Sequence, residues 1–461
     1  MKSMKAANKM TKNLNRSMLD GPLLPNILLY TIPIILTTVL QLLFNAADLV
    51  VVGRFCGSVS VGAVGATSSI SNLLVNFFVG LSLGTGVTVA HGLGANTPDE
   101  VEKTVHTAIP TAIICGVFLT VVGVVFCEKL LRLMGTPENV LKLSAVYMRI
   151  YFSGITFTLI YNFCASILRA AGDTKSPLVY LTISGFVNVI LNVIFVTVFH
   201  MNVAGVALAT MISQAVSATL VFLALMNRED ACRLMIKKFR IYKKQLLKII
   251  KIGLPAGIQS SLFSISNVII QSSVNSFGDV FMSGSAAASN IESFVYASMN
   301  GFYQTTLNFT GQNFGAKQYP RVKKILGICL CCVTVAGIAT GFSSVIFGEK
   351  LLSIYIIDSP RAISDGMIRI AWLGIPYFIC GLMEVTTGAL RGMGESVPPM
   401  IISILGVCGI RLGWIFTIFQ IPKFHTPEWL FASYTVSWAF TFAVELIAFF
   451  IVFKKKTRLK E

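Results

Sequence analysis

Long apolar runs alternate with short polar gaps along almost the whole chain. An α-helix needs about 20 apolar residues to cross the roughly 30 Å of hydrocarbon in a bilayer, and run after run reaches that length. The pattern therefore predicts an all-α membrane protein with twelve spans. Their predicted bounds are 26–50, 58–84, 105–127, 142–169, 177–199, 203–226, 250–276, 282–310, 323–347, 366–390, 397–419 and 429–453.

The composition agrees with a surface that faces lipid. Of the 461 residues, 54% are hydrophobic and 12% are charged, whereas ordinary soluble domains carry about 25% charged residues. A net charge of +17 would also suit a nucleic-acid-binding protein, but the basic residues lie in the gaps between apolar runs and form no groove with interleaved aromatic residues. Membrane lipid is therefore an expected partner, and nucleic acid is not.

The distribution of lysine and arginine predicts the orientation of the spans. If the N-terminus lies in the cytoplasm and the spans alternate, 27 of the 37 basic residues fall in cytoplasmic segments. Basic residues accumulate on that side of a membrane. The protein is therefore expected in a cell membrane, with both termini and the basic linker near residues 228–251 on the cytoplasmic side. The linker has two open interpretations, a plain connection or an amphipathic helix that lies on anionic headgroups.

Three pairs of similar segments divide the chain into two repeats. The pairs share an offset of 222 or 221 residues and occupy the same point in a six-span unit. The matched positions are Pro33 with Pro255, Gly94 with Gly315, and Leu168 with Leu390. The predicted organisation is an N-terminal segment 1–22, an N-lobe 23–226, a basic linker 227–249, a C-lobe 250–453 and a basic tail 454–461.

An even number of spans in each repeat has a geometric consequence. Both repeats enter the membrane from the same side, so a pseudo-two-fold axis along the membrane normal is expected to relate them. Two such lobes can enclose a central cleft, and rocking exposes that cleft to each side of the membrane in turn. The pattern therefore predicts a transporter that works by alternating access.

Several motifs, in order along the chain, resemble those of the multidrug and toxic compound extrusion (MATE) transporters. They are FNAADLVVVGRF in span 1, LRAAGDTKSP before span 5, NVAGVALAT at span 6, GQNFGA after span 8 and LRGMGESVPP after span 10. The resemblance covers nearly the whole chain. It implies a secondary antiporter that exports small organic compounds, often cationic or amphipathic, in exchange for sodium ions or protons.

The resemblance also implies a coupling site in the N-lobe. Asp48 matches the family's span-1 aspartate, and Asn188 and Thr210 match its polar groups in spans 5 and 6. Asn192 stands where many members have aspartate, so the site loses one titratable group but keeps a carbonyl oxygen suited to sodium. Asn45 lies one turn before Asp48 and is expected either to orient the carboxylate or to bond a neighbouring helix.

Glu292 and Glu384 are the C-lobe candidates for ion coupling or substrate binding. Both resemble positions where some family members carry acids, and intramembrane charges usually have a function or a partner. Arg411 in span 11 is one possible partner for Glu384, which would make the two a structural ion pair. Glu445 in span 12 is expected to be structural or to lie near the cytoplasmic end.

The lining of the cleft is predicted from aromatic and flexible side chains, because aromatic faces attract organic cations and methionine adapts to varied shapes. The candidates are Tyr151, Tyr161, Met299 and Tyr303. Each of them can equally be ordinary packing.

Two other functions stay open beside the exporter. A lipid-linked oligosaccharide flippase of the related superfamily would need a strongly cationic cavity, whereas the only arginines that lie within the spans and not at their ends are Arg149, Arg369 and Arg411. A membrane-embedded enzyme would need a nucleophile, base or metal constellation, and the four histidines do not cluster. The chain is therefore expected to be a non-enzyme, to work as a monomer, and to need no cofactor and no metal beyond a possible sodium ion.

Overall fold

The structure is a computed structural model that describes residues 18–356 and 359–458, and all regular structure in this part of the chain is helical. The α-helices are α1 (Leu23–Phe55), α2 (Ser58–Gly94), α3 (Pro98–Val125), α4 (Cys127–Leu133), α5 (Glu138–Ser153), α6 (Ile155–Ala170), α7 (Lys175–Val193), α8 (Asn202–Met226), α9 (Lys243–Asn275), α10 (Asp279–Gly315), α11 (Tyr319–Ile346), α12 (Gly348–Tyr355), α13 (Pro360–Gly374), α14 (Tyr377–Gly392), α15 (Val397–Ser403), α16 (Ile410–Phe416) and α17 (Pro427–Arg458). Two π-helical segments, Ile194–Val198 and Ile404–Gly409, follow α7 and α15, and 3-10 turns occupy Ile236–Lys238, Ile418–Gln420 and Pro422–Phe424.

Long apolar helices confirm the membrane class. Within the described residues, nine helices are long and apolar enough to cross a membrane, and eleven are if each of two bent pairs is one span. The predicted span 282–310 falls in α10, which is 37 residues long but rich in serine, asparagine and glutamine. That polar composition keeps α10 out of the apolar set, although its length would suffice.

Two predicted spans are bent rather than straight. The predicted span 142–169 consists of α5 and α6, which meet at 45° around Gly154, and the predicted span 366–390 consists of α13 and α14, which meet at 44°. The second break contains Pro376, which lacks the N–H needed to continue a helix. At the first break, a Cβ on Gly154 would lie 2.3 Å from the Met211 side chain, so only glycine fits there.

The chain forms two compact units. Unit 1 comprises Leu36–Gly257, and unit 2 comprises Gly21–Ile35 together with the chain from Ile258 onward. The first part of α1 is therefore grouped with unit 2, and the first part of α9 is grouped with unit 1. The predicted lobes 23–226 and 250–453 assigned each of these helices to a single lobe. Both divisions fall two residues after a helix proline, Pro33 or Pro255.

Side-chain contacts explain why the start of α1 belongs to unit 2. The Thr31 hydroxyl lies 2.7 Å from the Thr305 hydroxyl, and both side chains are buried. The rings of Tyr30 and Phe309 pack edge to face with centroids 5.3 Å apart. These contacts fix the helix start against α10 by buried polar and aromatic pairs.

The start of α9 belongs to unit 1 because glycines let two backbones approach closely. A Cβ on Gly84 of α2 would lie 2.2 Å from the Ile249 carbonyl oxygen, and a Cβ on Gly80 would lie 2.4 Å from the Gly257 nitrogen. Small residues permit this kind of helix packing in membrane proteins.

The basic linker is docked on unit 1 and is not an amphipathic helix. Between α8 and α9 only the turn Ile236–Lys238 is helical, and α9 begins at Lys243, inside the predicted linker 227–249. His106 Nε2 of α3 accepts a hydrogen bond of 3.0 Å from the Met235 N–H. Lys238 pairs with Glu102 at 2.7 Å. The linker therefore rests on the N-terminal turns of α3.

The buried start of the linker contains a protected thiol. Cys232 is fully buried, and the Asp230 carboxylate accepts a hydrogen bond from its backbone N–H at 3.1 Å. Burial raises the pKa of the Cys232 thiol to about 12, and the negative charge of Asp230 acts in the same direction. The thiol is therefore a sensitive reporter of whether the linker stays docked.

The two terminal segments lie partly outside the described residues. The predicted N-terminal segment 1–22 is described only from residue 18, and the predicted tail 454–461 only to residue 458. α17 continues to Arg458, so the described part of the tail is helical. Lys456 pairs there with Glu395 at 2.8 Å and donates a 2.8 Å hydrogen bond to the Met393 carbonyl.

Candidate cation-binding site

Three helices of unit 1 bring the four predicted N-lobe residues together. Asp48 lies on α1, Asn188 and Asn192 lie one turn apart on α7, and Thr210 lies on α8. Residues four apart on a helix share a face, so both asparagines point the same way. Two segments more than 130 residues apart in sequence thus meet around one carboxylate.

Hydrogen bonds join the four side chains into a ring. The Asn192 amide donates to Asp48 Oδ1 and lies 3.2 Å from Asn188 Oδ1. The Asn188 amide donates to Thr210 Oγ1 at 3.4 Å, and this hydroxyl lies 3.4 Å from Asp48 Oδ2. The Thr210 hydroxyl is also 3.0 Å from the Val206 carbonyl oxygen. Both carboxylate oxygens are therefore held by neutral groups.

The charge of this ring is not balanced by a basic side chain. No lysine, arginine or histidine of the described residues lies within 4.0 Å of the Asp48 carboxylate. Asn192 Oδ1 is buried and accepts no hydrogen bond from any of the described residues. One carboxylate and several neutral oxygens are a donor set suited to a hard monovalent cation, and a carboxylate can also take a proton.

The backbone changes form immediately after the asparagines. α7 ends at Val193 and passes into the π-helical segment Ile194–Val198, in which the Phe199 N–H bonds the Ile194 carbonyl at 3.2 Å. Single π-helical turns inside α-helices are frequent at functional sites. Val52, Val196 and Val206 form a small apolar cluster around this point. The polar ring therefore borders a cluster of apolar side chains.

Asn45 is not a member of the ring. Its side chain is exposed, and no hydrogen bond joins it to Asp48. The expectation that it orients the carboxylate is wrong, because Asn192 of α7 occupies that position.

Glu292 has a partner that the sequence did not indicate. Arg369 of α13 forms a bidentate ion pair with it, with Nε 2.8 Å from Oε1 and Nη2 3.0 Å from Oε2. The same guanidinium donates to the Ser285 hydroxyl at 2.9 Å and lies over the Phe431 ring. The pair is buried in unit 2. Glu292 is therefore neutralised by Arg369 and is not a lone carboxylate.

The predicted ion pair between Glu384 and Arg411 is wrong. Arg411 donates to the Ser437 hydroxyl at 2.9 Å, and its guanidinium lies 3.9 Å from the centre of the Tyr434 ring. Glu384 instead lies 3.5 Å from the Tyr296 hydroxyl. Aromatic faces stabilise a cation without a carboxylate, which explains how Arg411 is accommodated.

Three of the four predicted cleft residues are buried within their own unit. Tyr161 donates weakly to the Pro177 carbonyl at 3.5 Å, and Met299 packs where a Cβ on Gly381 would lie. Tyr303 accepts a hydrogen bond of 2.6 Å from Arg391. Tyr151 is half-buried and stacks on Tyr147, with ring centroids 6.2 Å apart. Contact of these residues with substrate stays a prediction.

Sequence reasoning gave no site role to two buried charged residues of unit 2. Arg391 donates to Tyr303 and, at 2.8 Å, to Gln259. Glu445 is fully buried and held by hydroxyl groups. For Glu445 the sequence signal was a charge inside an apolar run, which does not reveal the partner, and Arg391 follows directly after a predicted span.

The comparison with protein families confirms the internal repeat. A family model described as MatE matches the chain twice, at residues 33–194 and at residues 255–416. The two matches are separated by the same offset that relates Pro33 to Pro255.

Curated relatives match over most of their length. The probable multidrug resistance protein YoeA of Bacillus subtilis is 26% identical over 446 residues, which cover 94% of this chain and 95% of the relative. YpnP of the same organism, also described as a probable multidrug resistance protein, is 27% identical over 85% of this chain and 87% of the relative. The multidrug export protein MepA of Staphylococcus aureus is 20% identical over 93% of this chain and 92% of the relative.

Solved structures share the fold. A multidrug resistance MATE family transporter of the MOP superfamily in an outward-facing conformation superposes with a TM-score of 0.86 at 20% identity, covering 96% of this chain and 98% of the other. A MOP superfamily transporter from Pyrococcus furiosus gives a TM-score of 0.89 at 19% identity, covering 95% and 97%.

Proposed function

Because the chain belongs to the MatE family of membrane transporters, we propose that it is a multidrug efflux transporter that exchanges small organic compounds for a monovalent cation. The exchange is secondary antiport by alternating access, driven by a sodium or proton gradient. Relatives that match over most of the chain are described as multidrug resistance or multidrug export proteins, which supports this substrate class.

The observation that carries the proposal is the Asp48 ring. Asp48 is a half-buried carboxylate within a membrane-embedded unit, it is held by neutral donors, and no basic side chain among the described residues lies within 4.0 Å to compensate its negative charge. A cation that binds there compensates the negative charge of Asp48 only while the ring is closed. Binding therefore favours one arrangement of α1, α7 and α8 over others by its difference in affinity, which is the requirement for coupling.

Asn192 limits how much charge the ring can carry. The ring contains one carboxylate, so one monovalent cation neutralises it. Asn188, Asn192 and Thr210 supply neutral oxygens that can ligate sodium, while a proton needs only a carboxylate oxygen of Asp48. The proposal is therefore one cation per cycle at this ring.

The arginines of the spans favour export of organic compounds over transport of a lipid-linked pyrophosphate. Arg369 is neutralised by Glu292, and Arg149 pairs with Glu128 at 2.8 Å. Arg411 lies against Tyr434 and bonds Ser437. A flippase for a pyrophosphate-linked lipid would need arginines whose donors remain available to the phosphates.

The test is transport into proteoliposomes that contain the purified protein. Accumulation of the organic cation ethidium is followed under an imposed sodium gradient and then under an imposed pH gradient of the same size. The proposal expects one gradient to drive accumulation above the level of protein-free vesicles. Equal accumulation with and without either gradient would exclude antiport.

A further inference from the structure

A second buried carboxylate lies in unit 2, away from the Asp48 ring. Glu445 on α17 is fully buried. The Thr387 hydroxyl of α14 lies 2.9 Å from Oε1 and 2.8 Å from Oε2, and the Ser403 hydroxyl at the end of α15 lies 2.8 Å from Oε1. Two helices therefore hold the carboxylate of a third through the hydroxyl groups of Thr387 and Ser403.

No basic side chain of the described residues forms an ion pair with Glu445, since none lies within 4.0 Å of it, although the charge of Arg391 acts on Glu445 from farther away. The charged residues on the helices packed against α17 are Glu384 and Arg391 on α14, Arg361, Asp365 and Arg369 on α13, and Arg411 on α16. Arg391 is held by Tyr303 and Gln259, Arg369 by Glu292, and Arg411 by Ser437 and the Tyr434 ring. Every buried arginine nearby thus has another partner, and Glu384 adds negative charge.

The backbone beside Glu445 repeats a feature of the Asp48 ring. Ser403 is the last residue of α15, and the π-helical segment Ile404–Gly409 begins at the next residue. Thr441, one turn before Glu445 on α17, packs against this segment so closely that a Cβ on Gly406 would lie 2.1 Å from its hydroxyl. In both units a π-helical segment thus begins within two residues of a side chain that bonds a carboxylate, and such segments often mark functional sites.

We propose that Glu445, Thr387 and Ser403 form a second cation site, which binds a proton. A proton suits the site because the carboxylate is fully enclosed and its neighbours leave it no exposed surface. A buried carboxylate without a cation is costly in a membrane-embedded unit, and a single proton removes that cost. The role of this proton in driving export rests on the proposed function, but its binding does not.

The protonation step needs no group beyond those present. A hydronium ion transfers one proton to a carboxylate oxygen of Glu445: one O–H bond of hydronium breaks, one O–H bond forms on the carboxylate, and a water molecule remains. The new O–H donates to the Thr387 or Ser403 oxygen. That hydroxyl then turns its own hydrogen toward a carbonyl one turn earlier in its helix, a bond that serine and threonine commonly make. The site can thus satisfy both the charged and the neutral form.

Thr387 connects the site to a predicted coupling residue. Glu384, Thr387 and Arg391 follow one another at intervals of three and four residues, so they share one face of α14. Glu384 lies one turn from Thr387 on this face, and its charge acts on Glu445. Arg391 is also on this face of α14 and bonds Tyr303 and Gln259, so α14 connects the proton at Glu445 with these polar groups of unit 2.

The direct test is infrared spectroscopy of the purified full-length protein in lipid, titrated from about pH 5 to about pH 9, where buried carboxyl groups are known to ionise. The difference spectrum between Asp48→Asn and Asp48→Asn/Glu445→Gln isolates the carboxylic-acid band of Glu445. We expect a band that is present at the acidic end and lost toward the alkaline end. A band that stays constant, or is absent throughout, would overturn the proposal.

Two further variants keep the result interpretable. Ser403→Ala leaves Glu445 in place but removes a donor to its charged form, so the midpoint should move to higher pH by about one unit. Glu395→Gln removes an acid that pairs with Lys456 at the end of α14, and the Glu445 band should be unchanged. An unmoved midpoint in Ser403→Ala would contradict the assigned site. A titrating band in a protein that fails to export would reject the antiport function alone.

Discussion

The Asn192 amide of α7 donates a hydrogen bond to Asp48 Oδ1 of α1, so an amide and not a second acid faces this carboxylate oxygen. A pair of carboxylates at this separation cannot both be ionised, so one of them would keep a proton near neutral pH. With asparagine, the site holds one charge and remains able to ligate sodium. This contact therefore leaves Asp48 as the single carboxylate of the ring.

Restoring an acid at this position should change the pH dependence of export. In Asn192→Asp, the two carboxylates compete for one proton, so gradient-driven ethidium accumulation should acquire a new titration near neutral pH. The measurement is the pH profile of accumulation in proteoliposomes, with Asn290→Asp on the exposed face of α10 as a control. An Asn192→Asp profile identical to that of the unaltered protein would count against a shared site.

The pair Glu292 and Arg369 is expected to be structural. Glu292→Gln leaves the guanidinium buried without its counter-charge, which typically costs about 3–5 kcal/mol. The variant should therefore show a lower melting temperature in detergent and a lower membrane abundance. Replacing both residues together, as Glu292→Leu/Arg369→Leu, should recover much of the stability because no buried charge is left unpaired.

The same variant distinguishes a structural role of Glu292 from a role in transport. If Glu292→Gln lowers transport per molecule while the melting temperature is unchanged, Glu292 acts in coupling rather than in packing.

Close packing of α2 on α9 predicts strong sensitivity at one glycine. Gly84→Ala would place a methyl group 2.2 Å from the Ile249 carbonyl oxygen, so the helices must separate. Overpacking of this kind usually costs about 1–3 kcal/mol. Gly327→Ala on α11 is the matched control, because its added Cβ would meet no neighbouring helix of the described residues within 4 Å. Thermal unfolding in detergent should show a loss for Gly84→Ala and no loss for Gly327→Ala.

The docked linker predicts low reactivity of Cys232. With a pKa of about 12, only about one thiol in ten thousand is ionised at pH 8, against about a quarter of ordinary thiols. His106→Leu removes the acceptor of the Met235 N–H, so the linker should open and Cys232 should react faster with maleimide. Peptide mass spectrometry reads this cysteine separately from the other nine.

The labelling experiment has a control variant and a result that would contradict the docked linker. His200→Asn, in the loop after α7, should leave the rate unchanged. Rapid labelling of Cys232 in the unaltered protein would contradict the docked arrangement.

The N-lobe ring was predictable because its members carry local signals. Asn188 and Asn192 share a helix face at a spacing of four residues, and Asp48 is an acid inside an apolar run, so the residue types and the family motifs pointed to the same place. Asn45 is also a polar residue inside the apolar run of α1, but its side chain is exposed and does not join the ring. Helix periodicity gives the face of a residue only approximately, and the partner helix decides which of two polar residues is used.

The polar contacts of unit 2 were not predictable in the same way. Glu292 and Arg369 are 77 residues apart and lie on helices α10 and α13, so no spacing rule connects them. Arg411 could be expected to pair with a carboxylate, yet its charge is stabilised by an aromatic ring. Both cases depend on which helices pack together, and apolar runs alone do not encode that.

The central claim is that the Asp48 carboxylate binds the cation that drives export, and Asp48→Asn tests it most directly. The variant keeps the size of the side chain and removes its charge. Ethidium accumulation under the effective gradient is compared with that of Asp279→Asn, an exposed aspartate at the start of α10. The account predicts that Asp48→Asn loses the gradient-driven component while Asp279→Asn retains it. Full gradient-driven accumulation by Asp48→Asn would contradict the account.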